Sequence, residues 1–193
     1  MIQHVAPTIA ADVEAAYIGL DDDQLYIAVV TGFPESGLDG WGGHYWEHYD
    51  PGDLALDVTG DGVYDYAVDV SAGGLLRAGN LVWEDPAIDG HPAWGGAADP
   101  LRVTSWDQTK NVDGYRYGAF DGRYAVEAII GLEDLGPMGG SVKLHWTMGC
   151  GNDVADLVHP VPEPTGLLLL GGGLAMVGLL NGKRRKKSLK SDS

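Results

Sequence analysis

The sequence is short of cysteine, of phenylalanine and, through most of its length, of positive charge. One cysteine, Cys150, stands in 193 residues, so no disulfide can form within the chain. Two phenylalanines against six tryptophans, nine tyrosines and 30 glycines do not suit a helical bundle. They fit a β-rich body with many tight turns. Of the twelve Lys and Arg, six lie between Lys183 and Lys190. The other six (Arg77, Arg102, Lys110, Arg116, Arg123 and Lys143) face 26 Asp and Glu within residues 1–161. That part of the chain therefore carries a formal charge of −20, against −16 for the whole. Nucleic acid is excluded as a partner, because affinity for phosphates comes from Lys and Arg that neutralise them. An acidic surface of this kind suits solubility in a salty exterior, or cation binding.

Catalytic signatures are also missing. There is no Gly-x-Ser-x-Gly elbow, phosphate loop or dinucleotide fingerprint. Carboxylates are so abundant that a glycosidase pair could be drawn almost anywhere, which makes any drawn pair uninformative. We expect no catalytic residues, and a secreted glycoside hydrolase ranks behind the binding and structural readings.

What is present is a succession of β-rich runs bounded by turn residues. The pattern predicts strands over 15–20, 25–30, 54–58, 63–70, 75–83, 103–106, 115–120, 124–130 and 142–148. Asp21-Asp22-Asp23, Gly60-Asp61-Gly62, Asp113-Gly114 and Asp121-Gly122 supply turns between them. One helical turn is expected at 132–135, and His145 and Trp146 read as core groups. Many short strands without alternating helices predict an all-β fold, an antiparallel, jelly-roll-like β-sandwich of about nine strands. Leu25-Tyr26-Ile27-Ala28-Val29, Asp53-Leu54-Ala55-Leu56-Asp57 and Tyr124-Ala125-Val126-Glu127-Ala128-Ile129-Ile130 resemble the rhythm of family 9-like carbohydrate-binding modules and DOMON-like domains. The resemblance implies a sandwich and, more weakly, a sugar ligand.

Three stretches could carry chemistry. Asp57-Val58-Thr59-Gly60-Asp61-Gly62-Val63-Tyr64-Asp65 sets oxygens at alternate positions around a glycine turn, as a calcium loop does. Asp57, Thr59, Asp61, the Val63 carbonyl and Asp65 would be the ligands. A hairpin that simply needs Gly and Asp is the competing reading, and position 12 holds Val68 instead of a bidentate Glu. His44-Tyr45-Trp46-Glu47-His48 matches the H-x-x-E-H pattern of a metalloprotease clan. Gly42-Gly43 before it and Asp50-Pro51-Gly52 after it leave no room for the helix that chemistry needs. Two long glycine-rich loops, 32–52 and 84–100, invite a functional reading. Trp41, Tyr45, Trp46, Glu47 and Tyr49 are the glycan-binding candidates, since sugar rings stack on aromatic planes while carboxylates bond their hydroxyls. Trp83 and Trp94 lie in or beside the second loop, and Asp50 and Asp53 are further acceptors. Packing of these aromatics over the end of the sandwich is the alternative.

The chain after Pro160 has three consecutive pieces. Pro162-Glu163-Pro164 interrupts any sheet or helix. Thr165 to Leu180 is uncharged and apolar, spanning about 24 Å as a helix against a hydrocarbon core of about 30 Å. Lys183-Arg184-Arg185-Lys186-Lys187 is a cationic stop whose side chains can reach the interface and keep this end cytoplasmic. This arrangement resembles a PEP-CTERM sorting signal, the tail recognised by exosortase-type membrane proteases. His145-Trp146-Thr147-Met148-Gly149-Cys150-Gly151-Asn152-Asp153 is similar to a phrase common before such tails. The resemblance implies cleavage near Pro-Glu-Pro and release to the envelope or extracellular matrix. Met1 to Pro7 has neither a basic nor an apolar leader region, so it also implies a secretory leader upstream.

The expected organisation is thus an unstructured 1–12, a sandwich over 13–157, a Pro-rich linker over 158–165, a transmembrane sorting helix over 166–182 and a basic tail over 183–193. The protein would be exported through a membrane-anchored intermediate and be non-catalytic. Its partners would be the protease, the bacterial membrane and an extracellular polysaccharide. A calcium-stabilised structural envelope protein is the alternative.

Overall fold

The computed structural model describes residues 12–39, 48–84, 100–149, 151 and 153–161. The chain divides into two units after Val161, and the described residues all belong to the first. All its sheets are antiparallel. One has four strands in the order β1 (Val13–Leu20), β2 (Gln24–Thr31), β12 (Arg123–Gly131), β11 (Gly114–Phe120). The other has six: β10 (Gln108–Lys110), β7 (Leu75–Ala78), β6 (Tyr66–Asp69), β5 (Leu54–Asp57), β13 (Ser141–Thr147), β14 (Val154–Pro160). Two small ribbons complete it, β3 (Leu38–Asp39) with β4 (His48–Tyr49), and β8 (Val82–Glu84) with β9 (Arg102–Ser105). Among the described residues the only helical piece is one 3-10 turn, Leu132–Asp134, and none crosses a membrane's width.

Period-two alternation explains the packing. Leu25, Ile27 and Val29 of β2 face inward with Val126, Ala128 and Ile130 of β12. They meet Leu54, Leu56, Val68, Leu76, Leu144 and Trp146 from the larger sheet in one core. Trp146 and His145 are both buried, as the mid-strand position predicted.

The larger sheet is buried on its second face as well. Ala55 and Ala67, a cross-strand pair turned away from the core, are fully covered. Asp69, Arg77, His145 and Thr147 share that face and are also buried. Arg77 donates from Nε and Nη2 to Asp69 Oδ2 at 2.9 and 2.8 Å and from Nη1 to Thr109 Oγ1 at 2.7 Å. Its guanidinium lies 4.0 Å from the Trp106 ring centroid. Tyr64 packs edge-on to Trp83, centroids 6.0 Å apart, and lies 5.8 Å from the His145 ring. A mixed polar and aromatic layer therefore covers this face.

The four-stranded sheet keeps its second face open. β1 turns Ala15, Tyr17 and Gly19 outward and β2 turns Tyr26, Ala28 and Val30 outward, with Tyr17 55% and Tyr26 37% exposed.

Several boundaries differ from the sequence pattern. The run 75–83 breaks into β7 and β8 because Gly79 and Asn80 both take positive φ, 73° and 43°. Strand β6 begins at Tyr66, and Val63 is an exposed turn residue. Short strands β3, β4 and β10 carry too few residues for alternation to register; with the split of 75–83 and the added β14 they raise the strands among the described residues from about nine to fourteen. Strand β14 was not anticipated, and it carries 158–160, placed above in the linker, into the sheet. Pro160 is tolerated because β14 is an edge strand and Pro160 is its last residue.

Candidate functional site: the junction beneath two long loops

The loops at 32–52 and 84–100 start and finish at one place. β3 pairs with β4 through Leu38–Tyr49 and Asp39–His48, which brings the ends of the first loop together. Glu84 and Arg102 pair at the base of the second, where Leu101 N–H donates to the Glu84 carbonyl at 2.9 Å. The two bases are then bonded to each other. Asp53 N–H donates to the Leu101 carbonyl at 2.8 Å, and Arg102 Nη2 lies 3.0 Å from Asp50 Oδ2. Gly52 N–H donates to the Thr147 carbonyl at 3.0 Å, while Trp146 Nε1 donates to the Gly52 carbonyl at 3.0 Å. Gly52 is required for this approach, since a Cβ there would collide with the Thr147 and Leu101 carbonyl oxygens.

Asp53 is the centre of the junction. Only 1% exposed, it accepts Val70 N–H on Oδ1 and Val103 N–H on Oδ2, both at 2.8 Å. One carboxylate thus ties the start of β5 to the β6–β7 turn and to β9. Burial pushes its pKa up to about 7. The two amide donors and Arg102 oppose that shift, while Asp69 adds to it. These contacts hold backbone; they leave neither oxygen directed at a substrate.

Of the glycan candidates, Trp41, Tyr45, Trp46 and Glu47, with Trp94, lie outside the described residues. Tyr49 is half-buried and packs against the core, and Trp83 covers the larger sheet against Tyr64. In the H-x-x-E-H stretch, His48 lies on β4, with its Nε2 3.4 Å from Asp50 Oδ1. A strand does not give the shared helical face that a two-histidine zinc site uses. Pro162, Glu163, Pro164, the apolar span 166–182 and Lys183, Arg184, Arg185, Lys186 and Lys187 lie outside the described residues.

The glycine turn at 57–65 closes on its own carboxylates. Asp57 accepts Gly60 N–H on Oδ1 at 2.6 Å and Gly62 N–H on Oδ2 at 2.8 Å. Asp65 Oδ2 accepts Val58 and Thr59 N–H at 2.9 and 3.0 Å, and Asp61 accepts Val63 N–H at 2.8 Å. Thr59 Oγ1 lies 3.4 Å from Asp57 Oδ1. Gly60 and Gly62 take positive φ, 76° and 88°. These are the bonds of a self-capped turn. Among the described residues no three or more His, Cys, Asp or Glu side chains gather as a metal site would require.

The sequence pointed to Asp53 only as a possible sugar acceptor, and it missed Arg102 and the Asp69–Arg77–Trp106 set. An isolated cation in an apolar strand, Leu75-Leu76-Arg77-Ala78, was the available signal, because a lone charge there must find a buried partner. No family model matches the chain, and no curated protein or solved structure matches it either.

Proposed function

We propose that this chain is an exported, non-catalytic protein of the cell surface or extracellular matrix. A PEP-CTERM-like tail carries it to the membrane, and an exosortase-type protease cuts near Pro162-Glu163-Pro164. The observation that supports this most directly is where the sandwich finishes. β14 ends at Pro160, Val161 N–H donates to the Gly140 carbonyl at 2.9 Å, and Val161 packs against the core. Pro-Glu-Pro begins at the next residue, so cleavage there leaves every described strand in place.

The −20 charge of residues 1–161 suits a hydrated exterior. Until processing, the apolar span rests in the membrane with the basic end cytoplasmic. Polysaccharide is the proposed ligand class, taken by the loops that carry Trp41, Tyr45, Trp46 and Glu47. The joined bases of the two loops support that reading, because they hold both loop origins at one end of the sandwich.

The test is expression of the full chain behind a secretory leader in an exosortase-bearing host. A fragment of the size of the sandwich is expected in the envelope or medium. It should vanish in the Pro162→Ala/Glu163→Ala/Pro164→Ala variant and in a host lacking the protease. An uncut product confined to the cytosol would end the reading.

A further inference from the structure

The β8–β9 ribbon belongs to neither large sheet, yet it lies against β6 of the larger one. Both of its strands leave that sheet at a single neck. Gly79 and Asn80 turn the chain out of β7 with φ of 73° and 43°. The returning Asp107 N–H donates to the Ala78 and Gly79 carbonyls at 3.0 and 2.9 Å, and Asn80 Nδ2 donates to Asp107 Oδ2 at 2.6 Å. Beyond the neck the ribbon folds back, Trp83 meeting Tyr64 edge-on. Its Val103 and the adjoining Leu101 are buried, but neither belongs to the central cluster between the two sheets. Lifting the ribbon therefore leaves that cluster whole.

The bonds that hold the ribbon down converge on Asp53. Its N–H donates to the Leu101 carbonyl, and its Oδ2 accepts Val103 N–H, both at 2.8 Å. The further tie, Arg102 to Asp50, ends on a half-exposed carboxylate, and Arg102 Nε is buried with no hydrogen-bond partner among the described residues. The charges around Asp53 are already engaged. Asp69 of β6 holds Arg77 of β7, Asp50 holds Arg102 of β9 and lies 3.4 Å from His48 Nε2, and His145 of β13 is bonded to Asp156. Burial pushes the Tyr115 hydroxyl of β11 up, so it stays neutral.

Burial likewise holds the Asp53 carboxyl at about 7 while the ribbon is down. With the ribbon up, water reaches the group and the ordinary value of 3.8 returns. The closed state is then fully favoured in acid, and loses ground as pH rises from about 4 to about 7.

We infer that the β8–β9 ribbon is a strap latched on Asp53, closed in acid and lifting from the six-stranded sheet more often as pH approaches neutrality. Lifting uncovers Ala55, Ala67, Asp69 and Arg77 and parts the bases of the two long loops. The strap does not rest on the export reading or on any ligand.

The test is hydrogen exchange at single amides, read by NMR of the full chain in non-ionic detergent from pH 4.5 to 8 and corrected for chemical exchange. Asp53 and Val103 N–H cross between ribbon and sheet, whereas Gly52 N–H, on the Thr147 carbonyl, stays within the sheet. Protection at Asp53 and Val103 should fall about 10-fold per pH unit and level off near pH 7. At pH 7.5 it should lie at least 10-fold below that of Gly52. In Asp53→Asn the pH dependence at Val103 should vanish.

A flat profile at Val103 would overturn the strap. Equal protection at Gly52 and Val103 would also overturn it, because the whole domain would then open at once. So would an unchanged pH profile in Asp53→Asn. Should that variant not fold, the comparison of Gly52 with Val103 in the wild type decides alone.

Discussion

The two sheets bury one face each against the other and differ in what they do with the second. The six-stranded sheet covers it with Tyr64, Trp83, Trp106 and the β8–β9 ribbon, enclosing Asp69, Arg77, His145 and Thr147. The four-stranded sheet leaves Tyr17, Tyr26, Arg116, Phe120 and Glu127 exposed. Enclosed polar groups must all be satisfied internally, so substitutions there act on folding. Exposed groups are satisfied by water, so substitutions on the open face leave folding nearly unchanged. The difference separates positions that serve folding from positions that folding leaves free to vary.

The largest effect that sharpens this contrast is expected at Asp53. Its folded pKa of about 7 lies above the ordinary carboxyl value of 3.8. Between those values the unfolded chain releases its proton while the folded chain keeps it. This group's contribution to stability is therefore full below about pH 4 and falls as pH rises to about 7, by roughly 4 kcal/mol. Urea titrations across that range should show the decline in the wild type and lose this leg in Asp53→Asn. An identical pH profile in the variant would remove Asp53 from the account.

Breaking the enclosed pair comes next. Asp69→Ala should cost about 3 kcal/mol, the lower end for a buried pair because Arg77 retains Thr109 and Trp106. Equilibrium unfolding reads this directly, and a loss under 1 kcal/mol would mean that the face is wetter than described.

Gly52→Ala should cost about 2 kcal/mol through overpacking against two carbonyl oxygens, seen as a lower melting temperature. The smallest effect is on the open face, where Tyr17→Ala should change stability by less than about 0.5 kcal/mol. A larger loss would show that Tyr17 is a packing residue, and the contrast between the sheets would fail.

Much of the sandwich was legible because its strands alternate cleanly. Leu25-Tyr26-Ile27-Ala28-Val29 and Tyr124 to Ile130 announce both their faces and, once paired, their register. Legibility failed where local chemistry was thin. Strand β10 has three polar residues, and it exists because Thr109 pairs with Arg77 on a sheet already formed. Strand β14 contains Asp156, which reads as a loop residue. Burial raises its pKa, but hydrogen bonds and charge from His145 and Lys143 outweigh that and hold it below the ordinary carboxylate value. Of the candidate site, the sequence indicated two long loops but gave no sign that their bases are bonded together. Glycine turns and calcium loops share a pattern, so the pattern did not reveal the backbone amides that Asp57 and Asp65 accept.

By itself the sequence determined the all-β class, the acidic body and the order of motif, apolar span and basic stretch after Val161. Each of these follows from composition or from spacing along the chain. Only the tertiary structure decided that one sheet is covered twice and the other once, and that Asp53 joins three segments. Those outcomes depend on residues 17 to 50 positions apart meeting in space, and hydrophobic periodicity carries no information about such meetings.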